Sequence, residues 1–264
     1  SSELGVAFGI ETNGDFDTAG RSVKFDYKSN FKNTSALMIK NFYRDAGKDF
    51  WITRDNLTAP FIKKPANYGT QIQFMGPSSN RFSYGLTVAR EKGSEWFSAL
   101  GFSKTYTAMV NFTPRDNLKF SLMYQHNDEK DWLNWIEDNL LGIYAKKQRT
   151  TVASMNWFGG EKHELRIKAQ MVAFTARDPS AYLGDGGGDL TAVDIDLSPF
   201  SLSDLAFQIR YRYEILPLAY LYVVYSKGGR IVESDEEDRL DKLYQRPWND
   251  PQADNFTVKL RYRF

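Results

Sequence analysis

The chain has 264 residues, a formal net charge of +1 and no cysteine, and 15% of its residues are aromatic. A charge so close to neutral disfavours a general nucleic-acid binder, which carries a strongly basic surface. The lack of cysteine excludes disulfides and thiolate metal sites. The longest apolar run, from Ile215 to Tyr225, contains Pro217 and is shorter than the roughly 18 apolar residues that a membrane-spanning helix needs.

Short stretches in which apolar and polar residues alternate recur along the whole chain. Such alternation keeps mean hydropathy low, here −0.51, while it gives each strand one apolar face, as in transmembrane β-barrels. About twelve stretches have the length of a membrane-crossing strand. The predicted strands are 4–13, 21–30, 35–45, 69–76, 81–92, 105–113, 118–125, 148–158, 162–176, 205–214, 220–227 and 255–264.

The connections between these stretches alternate in length. Those after even-numbered strands are short, whereas most of those after odd-numbered strands are long, as with periplasmic turns and extracellular loops. The sequence therefore predicts one all-β domain over residues 1–264, a transmembrane antiparallel up-and-down β-barrel of about twelve strands. We expect it in a bacterial outer membrane, with the long loops extracellular and the C-terminus periplasmic.

The last ten residues form the most regular stretch. Phe256, Val258, Leu260, Tyr262 and Phe264 share one face of a strand because side chains alternate along it. A chain that ends on Phe, with Tyr two positions earlier, resembles the C-terminal sorting strand of bacterial outer-membrane β-barrels. The resemblance implies that the barrel-assembly machinery is a partner of this strand.

Several motifs after about residue 68 are similar to one family. They are Asp131-Trp132-Leu133-Asn134-Trp135, Trp157-Phe158 with His163-Glu164-Leu165-Arg166, Ile209-Arg210-Tyr211-Arg212-Tyr213-Glu214 and Val223-Val224-Tyr225-Ser226-Lys227-Gly228-Gly229. Together they resemble the uncharacterised barrel domain that follows a carbohydrate-binding-like module in Gram-negative bacteria. The resemblance implies no catalytic residue. Because the upstream module is missing from this chain, a longer parent with a wider barrel stays open as an alternative.

Seven cations fall on the polar face of three predicted strands and form what we call the basic ladder. Its members are Arg166, Lys168, Arg210, Arg212, Lys259, Arg261 and Arg263. With the apolar face outward, they point into the lumen, where only Glu164 and Glu214 oppose them on the same strands. Either acids from other strands, such as Asp26, neutralise the ladder, or unpaired cations concentrate anions in the lumen.

The sequence offers little support for an enzyme or a metal site. His126, with Asp128 and Asp131 nearby, lacks the Ser that a phospholipase-like pair requires, and His163 falls at the predicted turn between the strands 148–158 and 162–176. Two acidic loops could offer oxygen ligands to Ca²⁺, although neither has the spacing of a known calcium loop. Their acids are Asp185, Asp189, Asp194 and Asp196 in one loop, and Glu233, Asp235, Glu236, Glu237 and Asp238 in the other.

Residues 131–147 place Trp132, Trp135, Ile136, Leu140 and Ile143 at helical spacing, which predicts an amphipathic helix in an outer loop. Taken together, these patterns favour a narrow or plugged channel with an anion-leaning lumen, without a cofactor. The alternative is a structural barrel that anchors a protein partner. An outer-membrane hydrolase is the third hypothesis. Outer-membrane lipids and lipopolysaccharide are further expected partners, and nucleic acid is not.

Overall fold

The structure, a computed structural model, describes residues 1–12, 18–54, 58–79, 81–93, 100–234 and 240–262. Antiparallel strands make up nearly all of it. The strands are β1 (Ser2–Thr12), β2 (Thr18–Asn30), β3 (Ala36–Arg44), β4 (Gly47–Asp49), β5 (Ile62–Lys64), β6 (Asn67–Met75), β7 (Phe82–Lys92), β8 (Phe102–Arg115), β9 (Leu118–Glu137), β10 (Leu140–Gly159), β11 (His163–Gly184), β12 (Leu190–Val193), β13 (Phe200–Leu216), β14 (Ala219–Glu233) and β15 (Ala253–Arg261). One helix, α1 (Leu240–Asn249), precedes β15.

Twelve of these strands pair in a single path, β1-β2-β3-β6-β7-β8-β9-β10-β11-β13-β14-β15. Each strand pairs with the strands before and after it along that path, and β12 adds to β11 at one side. The predicted fold class is confirmed: the sheet is the wall of an antiparallel up-and-down β-barrel, and its twelve main strands coincide with the twelve alternating stretches of the sequence. β4 and β5 form a separate small hairpin.

The two ends of the sheet are β1 and β15. Within the described residues, no pairing joins one to the other. Their apolar side chains are among the most exposed of the wall, with Phe8 at 84% and Phe256 at 69%. Among the described residues, β1 and β15 therefore each have one edge whose backbone donors and acceptors are not paired with another strand.

The predicted helix in residues 131–147 is wrong. β9 and β10 continue through this segment as one long hairpin, in which Trp132 pairs with Tyr144 and Leu133 with Ile143. The hairpin reverses at Asp138, whose φ of 41° lies in the left-handed region that Asp tolerates in tight turns. Side chains spaced for a helix instead pack on the two faces of a protruding hairpin.

The only helix in the described part of the chain is α1, which the sequence analysis did not predict. Leu240 and Leu243 are buried against Ala173 of β11. A second cluster unites Ile62 with Leu133 and Leu141, so the segment between β3 and β6 packs on the β9–β10 hairpin. No helix among the described residues is long and apolar enough to cross a bilayer.

Candidate functional site: the polar face and the outer rim of the sheet

The register separates the sheet into two chemically different faces. Directly opposed residues of antiparallel strands have their side chains on the same face. One such row crosses β11, β13, β14 and β15 through Ile167, Ile209, Tyr225 and Phe256. We call the side defined by this row, and by every second residue from it, the apolar face, and the opposite side the polar face.

The polar face carries the basic ladder. One row contains Glu164, Arg212, Tyr222 and Lys259, and the neighbouring rows contain Arg166 with Arg210, Lys168 with Gln208, and Glu214 with Tyr220 and Arg261. Arg263 lies outside the described residues. An Arg or Lys facing lipid at the bilayer midplane costs about 2–4 kcal/mol. The polar face therefore belongs to the lumen side of the wall and the apolar face to the lipid side.

One carboxylate neutralises part of the ladder. Glu164 is only 3% exposed. It forms ion pairs with Arg166, on its own strand, and with the Nε atom of Arg212, on the neighbouring strand, at 3.0 Å. The guanidinium of Arg212 also lies 5.3 Å from the ring centre of Tyr220. These three charges form a compact structural network.

The other cations of the ladder have no such partner. Within the described residues, no ion pair involves Lys168, Arg210, Lys259 or Arg261. Arg210 instead lies 5.5 Å from the ring centre of Tyr222. Asp26, a candidate neutralising acid, is opposite Lys40 in the pairing of β2 with β3 and forms no ion pair with a described member of the ladder.

Beyond the ladder, the polar face is filled by aromatic rings. Trp132, Tyr144, Phe174 and Phe200 form a cluster whose ring centres lie 5.3–6.3 Å apart. Aromatic pairs at such separations contribute beyond the area they bury. The cluster occupies the end of the polar face where the β9–β10 hairpin leaves the sheet.

A buried ion pair lies beside this aromatic cluster. The Nζ atom of Lys146 is 3.7 Å from Glu129 Oε2 and 4.7 Å from the ring centre of Trp132. A membrane-crossing strand has about ten residues. The membrane-spanning part of β9 therefore covers about the first ten residues from Leu118, and both Glu129 and Lys146 lie outside the membrane-spanning part of the hairpin. Burial raises the pKa of Glu129 and lowers the pKa of Lys146, and the opposite charge of the partner counteracts each effect.

The acids considered as calcium ligands do not converge. Asp185 accepts hydrogen bonds from the backbone N–H groups of Gly187 and Asp189, both at 2.9 Å, which shapes its own turn. Asp189 pairs with Lys63 at 2.7 Å. Asp194 and Asp196 join no cluster of metal-ligating residues in the described part of the chain.

In the second acidic loop, Glu233 pairs with Arg246 of α1. The remaining acids of that loop, residues 235–238, lie outside the described residues.

Helix α1 lies on the apolar face. The hydroxyls of Tyr244 and Thr151 share a hydrogen bond of 3.2 Å, and the ring of Trp248 meets Phe207 edge-on at 5.1 Å. Thr151 and Phe207 both belong to the apolar face, near the end of the sheet from which the long hairpin projects. An amphipathic helix with Trp on its contact face is typical of a membrane interface.

Both histidines contact tyrosines of neighbouring strands. The ring of His126 stacks on Tyr106 at 6.5 Å, and its cross-strand partner is Arg149. His163 Nδ1 shares a hydrogen bond of 2.6 Å with the Tyr211 hydroxyl. His126 and Asp128 do share one face of β9, as the sequence predicts, and they line a cavity together with several cations.

No family model and no curated protein sequence matches the chain, so the resemblance to the uncharacterised barrel domain stays a prediction. Solved structures with a similar fold include a NanC porin, at 8% identity and a TM-score of 0.29 over 88% of this chain and 97% of the porin.

Two other solved structures are similar to the chain at a comparably low sequence identity. The ferric preacinetobactin receptor BauA from Acinetobacter baumannii has 9% identity and a TM-score of 0.43 over 97% of this chain and 43% of the receptor. LpxR from Salmonella typhimurium has 9% identity and a TM-score of 0.29, with 82% and 84% of the two chains covered. Similarities this weak indicate nothing about function.

Proposed function

We propose that the protein is a bacterial outer-membrane β-barrel whose polar face lines a narrow, partly filled channel that favours anions. In this proposal the short turns are periplasmic, the long connections and the β9–β10 hairpin are extracellular, and β15 is recognised by the barrel-assembly machinery. A wall with one apolar and one charged face fits this location, because the outer side of a transmembrane β-barrel contacts lipid and its inner side is polar.

The observation that carries the proposal is the incomplete neutralisation of the ladder. Lys168, Arg210, Lys259 and Arg261 share the polar face without an ion pair to a described residue. A closed barrel of twelve strands tilted by about 40° has a backbone diameter of roughly 24 Å. Unpaired cations in so narrow a space act over distances comparable to the Debye length of about 8 Å at physiological salt.

The aromatic cluster and the Glu129–Lys146 pair support a constricted lumen. They fill the polar face at the proposed extracellular end, while the unpaired cations lie nearer the proposed periplasmic end. This arrangement favours a low-conductance pore over an open general porin.

Reversal potentials in planar bilayers across a KCl gradient test the proposal. The wild-type protein is expected to prefer chloride, and Arg210→Glu with Lys259→Glu should reduce or invert that preference. The matched control is Lys32→Glu with Lys162→Glu, which makes the same charge change at two exposed turn residues. Preference for potassium in the wild type would contradict the proposal.

A structural or docking barrel is the second candidate. It is favoured by the folded connections at the hairpin end, where Ile62 and Leu141 are fully buried and Lys63 donates its backbone N–H to the carbonyl of Gly188 at 2.8 Å. Such an ordered surface suits a protein partner. The absence of any current from correctly folded protein would favour this second function.

A further inference from the structure

A charged cavity lies on the apolar face, on the opposite side of the wall from the basic ladder. Its volume is about 650 Å³. The charged side chains that line it include the cations Lys130, Lys147, Arg149 and Arg177 and the carboxylates Asp128 and Asp178. Among the described residues that line the cavity, cations therefore outnumber acids.

Hydrogen-bonding capacity in the cavity is left unused by the described residues. Arg149 Nε and His126 Nδ1 are buried and have no hydrogen-bond partner among them. Lys130, Lys147 and Arg149 form no ion pair with a described residue. Buried polar atoms are normally paired, so the unused Arg149 Nε–H donor favours a ligand with strong acceptor oxygens.

The first residue of α1, Leu240, also lines the cavity. The N-terminal end of a helix carries a partial positive charge, which favours anions. The helix and the basic side chains therefore both favour binding of an anion in the cavity.

An apolar groove of about 350 Å³ lies on the same face, closer to the middle of the wall. Ala153 and Ala169 are directly opposed across β10 and β11, and their small side chains leave a depression between Leu122 and Ile167. Ala153 and Arg149 are four residues apart on β10, which is about 13 Å along a strand. Groove and cavity are therefore aligned along the strand direction.

We propose that cavity and groove together bind a phosphate-bearing, acylated lipid of the outer leaflet, with its phosphate in the cavity and an acyl chain in the groove. The inference rests on the proposed outer-membrane location and orientation. Arg and Lys recognise phosphate through charge-assisted hydrogen bonds, and basic pockets on membrane proteins bind anionic head groups. The lipid A part of lipopolysaccharide combines both features.

Native mass spectrometry of the full chain, folded in non-ionic detergent, tests binding with bis-phosphorylated lipid A as the probe. One lipid is expected to stay bound. Removal of both lipid phosphates, or Lys147→Ala with Arg149→Ala, should weaken binding at least about tenfold, the effect of losing charged hydrogen bonds. Lys32→Ala with Lys162→Ala serves as the control and should bind like wild type.

The groove has its own variant. Ala153→Leu fills the depression on the lipid side, where a larger apolar residue is tolerated, and should weaken binding several-fold. Unchanged binding by Ala153→Leu would overturn the acyl-chain part of the proposal. Displacement of lipid A by millimolar inorganic phosphate would also overturn the proposal that the site binds a lipid, because the cavity would then be a site for small anions.

Residues 235–238, which are Asp-Glu-Glu-Asp, precede α1 and lie outside the described residues. Changing these four acids to amides should leave binding intact or tighten it, and EDTA should have no effect. Loss of binding in either case would overturn the proposal in favour of acids bridged to the lipid by divalent cations. The channel measurement uses bilayers without lipid A, so the two proposals can fail independently.

Discussion

At the residue scale, the buried pair of Glu129 and Lys146 is the position where a single change should matter most. Glu129 is 2% exposed and Lys146 is 6% exposed. Burying two charges is costly, but removing one partner is costlier because the remaining buried charge loses the ion pair that offset its desolvation. The pair therefore fixes how the hairpin and the aromatic cluster pack together.

Glu129→Ala is expected to destabilise the protein by about 3–5 kcal/mol. Urea unfolding of the detergent-folded protein measures the effect. Glu129→Leu with Lys146→Met should recover most of the loss because no buried charge remains. A loss from Glu137→Ala, at an exposed carboxylate near the hairpin turn, would contradict this explanation.

At the element scale, β15 is expected to control assembly. Phe256, Val258 and Leu260 face Tyr225, Val223 and Leu221 on the apolar face, as the sequence predicts, and Tyr262 follows the strand with 52% of its surface exposed. Tyr262→Ser with Phe264→Ser removes apolar area and the resemblance to a sorting strand. Folded protein in the outer membrane should fall sharply.

Heat-modifiable migration of outer-membrane extracts on gels measures that fall. Asn255→Ser with Thr257→Ser changes two polar-face residues of the same strand and is the matched control. Wild-type amounts of the Tyr262 and Phe264 variant would show that the C-terminal residues have no role in sorting.

The strands also show which parts of the fold could be predicted from the sequence. All twelve main strands were predicted because lipid requires apolar side chains at every second position, and this two-residue period is visible in the sequence. Above the membrane this constraint ends. The predicted strand 118–125 therefore stopped short of β9, which continues to Glu137, and the aromatic residues of 131–147 fitted a helical spacing that tertiary pairing overrode.

Helix α1 was missed although its signal is present. An amphipathic helix has the spacing shown by Leu240, Leu243, Tyr244, Pro247 and Trp248, but these residues follow a run of acids that was assigned to a loop. The described members of the ladder share one face of the sheet, an arrangement that depends only on the strand period. Which of its cations Glu164 neutralises depended on the register between strands, which one sequence does not determine.

At the scale of the whole molecule, the free edges of β1 and β15 need partners in a bilayer, because hydrocarbon offers none to backbone groups. A closed twelve-stranded barrel brings the two edges together. Gly5→Cys combined in turn with Asn255→Cys, Thr257→Cys or Lys259→Cys should then give a disulfide in at least one register. The native chain has no cysteine, so electrophoresis without reductant reads the result directly.

Val224→Cys with Thr257→Cys is the positive control because these residues are directly opposed in β14 and β15. If the control crosslinks and none of the three test pairs does, other strands lie between the two edges. The wall would then be part of the wider barrel that the sequence left open.

The order of strands in the sheet also has a consequence for how the protein folds. Along the main path, each strand pairs with its nearest main-path neighbours in the chain, so adjacent hairpins form from contacts of short sequence separation, which are entropically cheap to close. The wall can therefore grow one hairpin at a time from either end. Joining its two edges is the one step that must bring distant parts of the chain together, and we expect this step to limit the rate of folding.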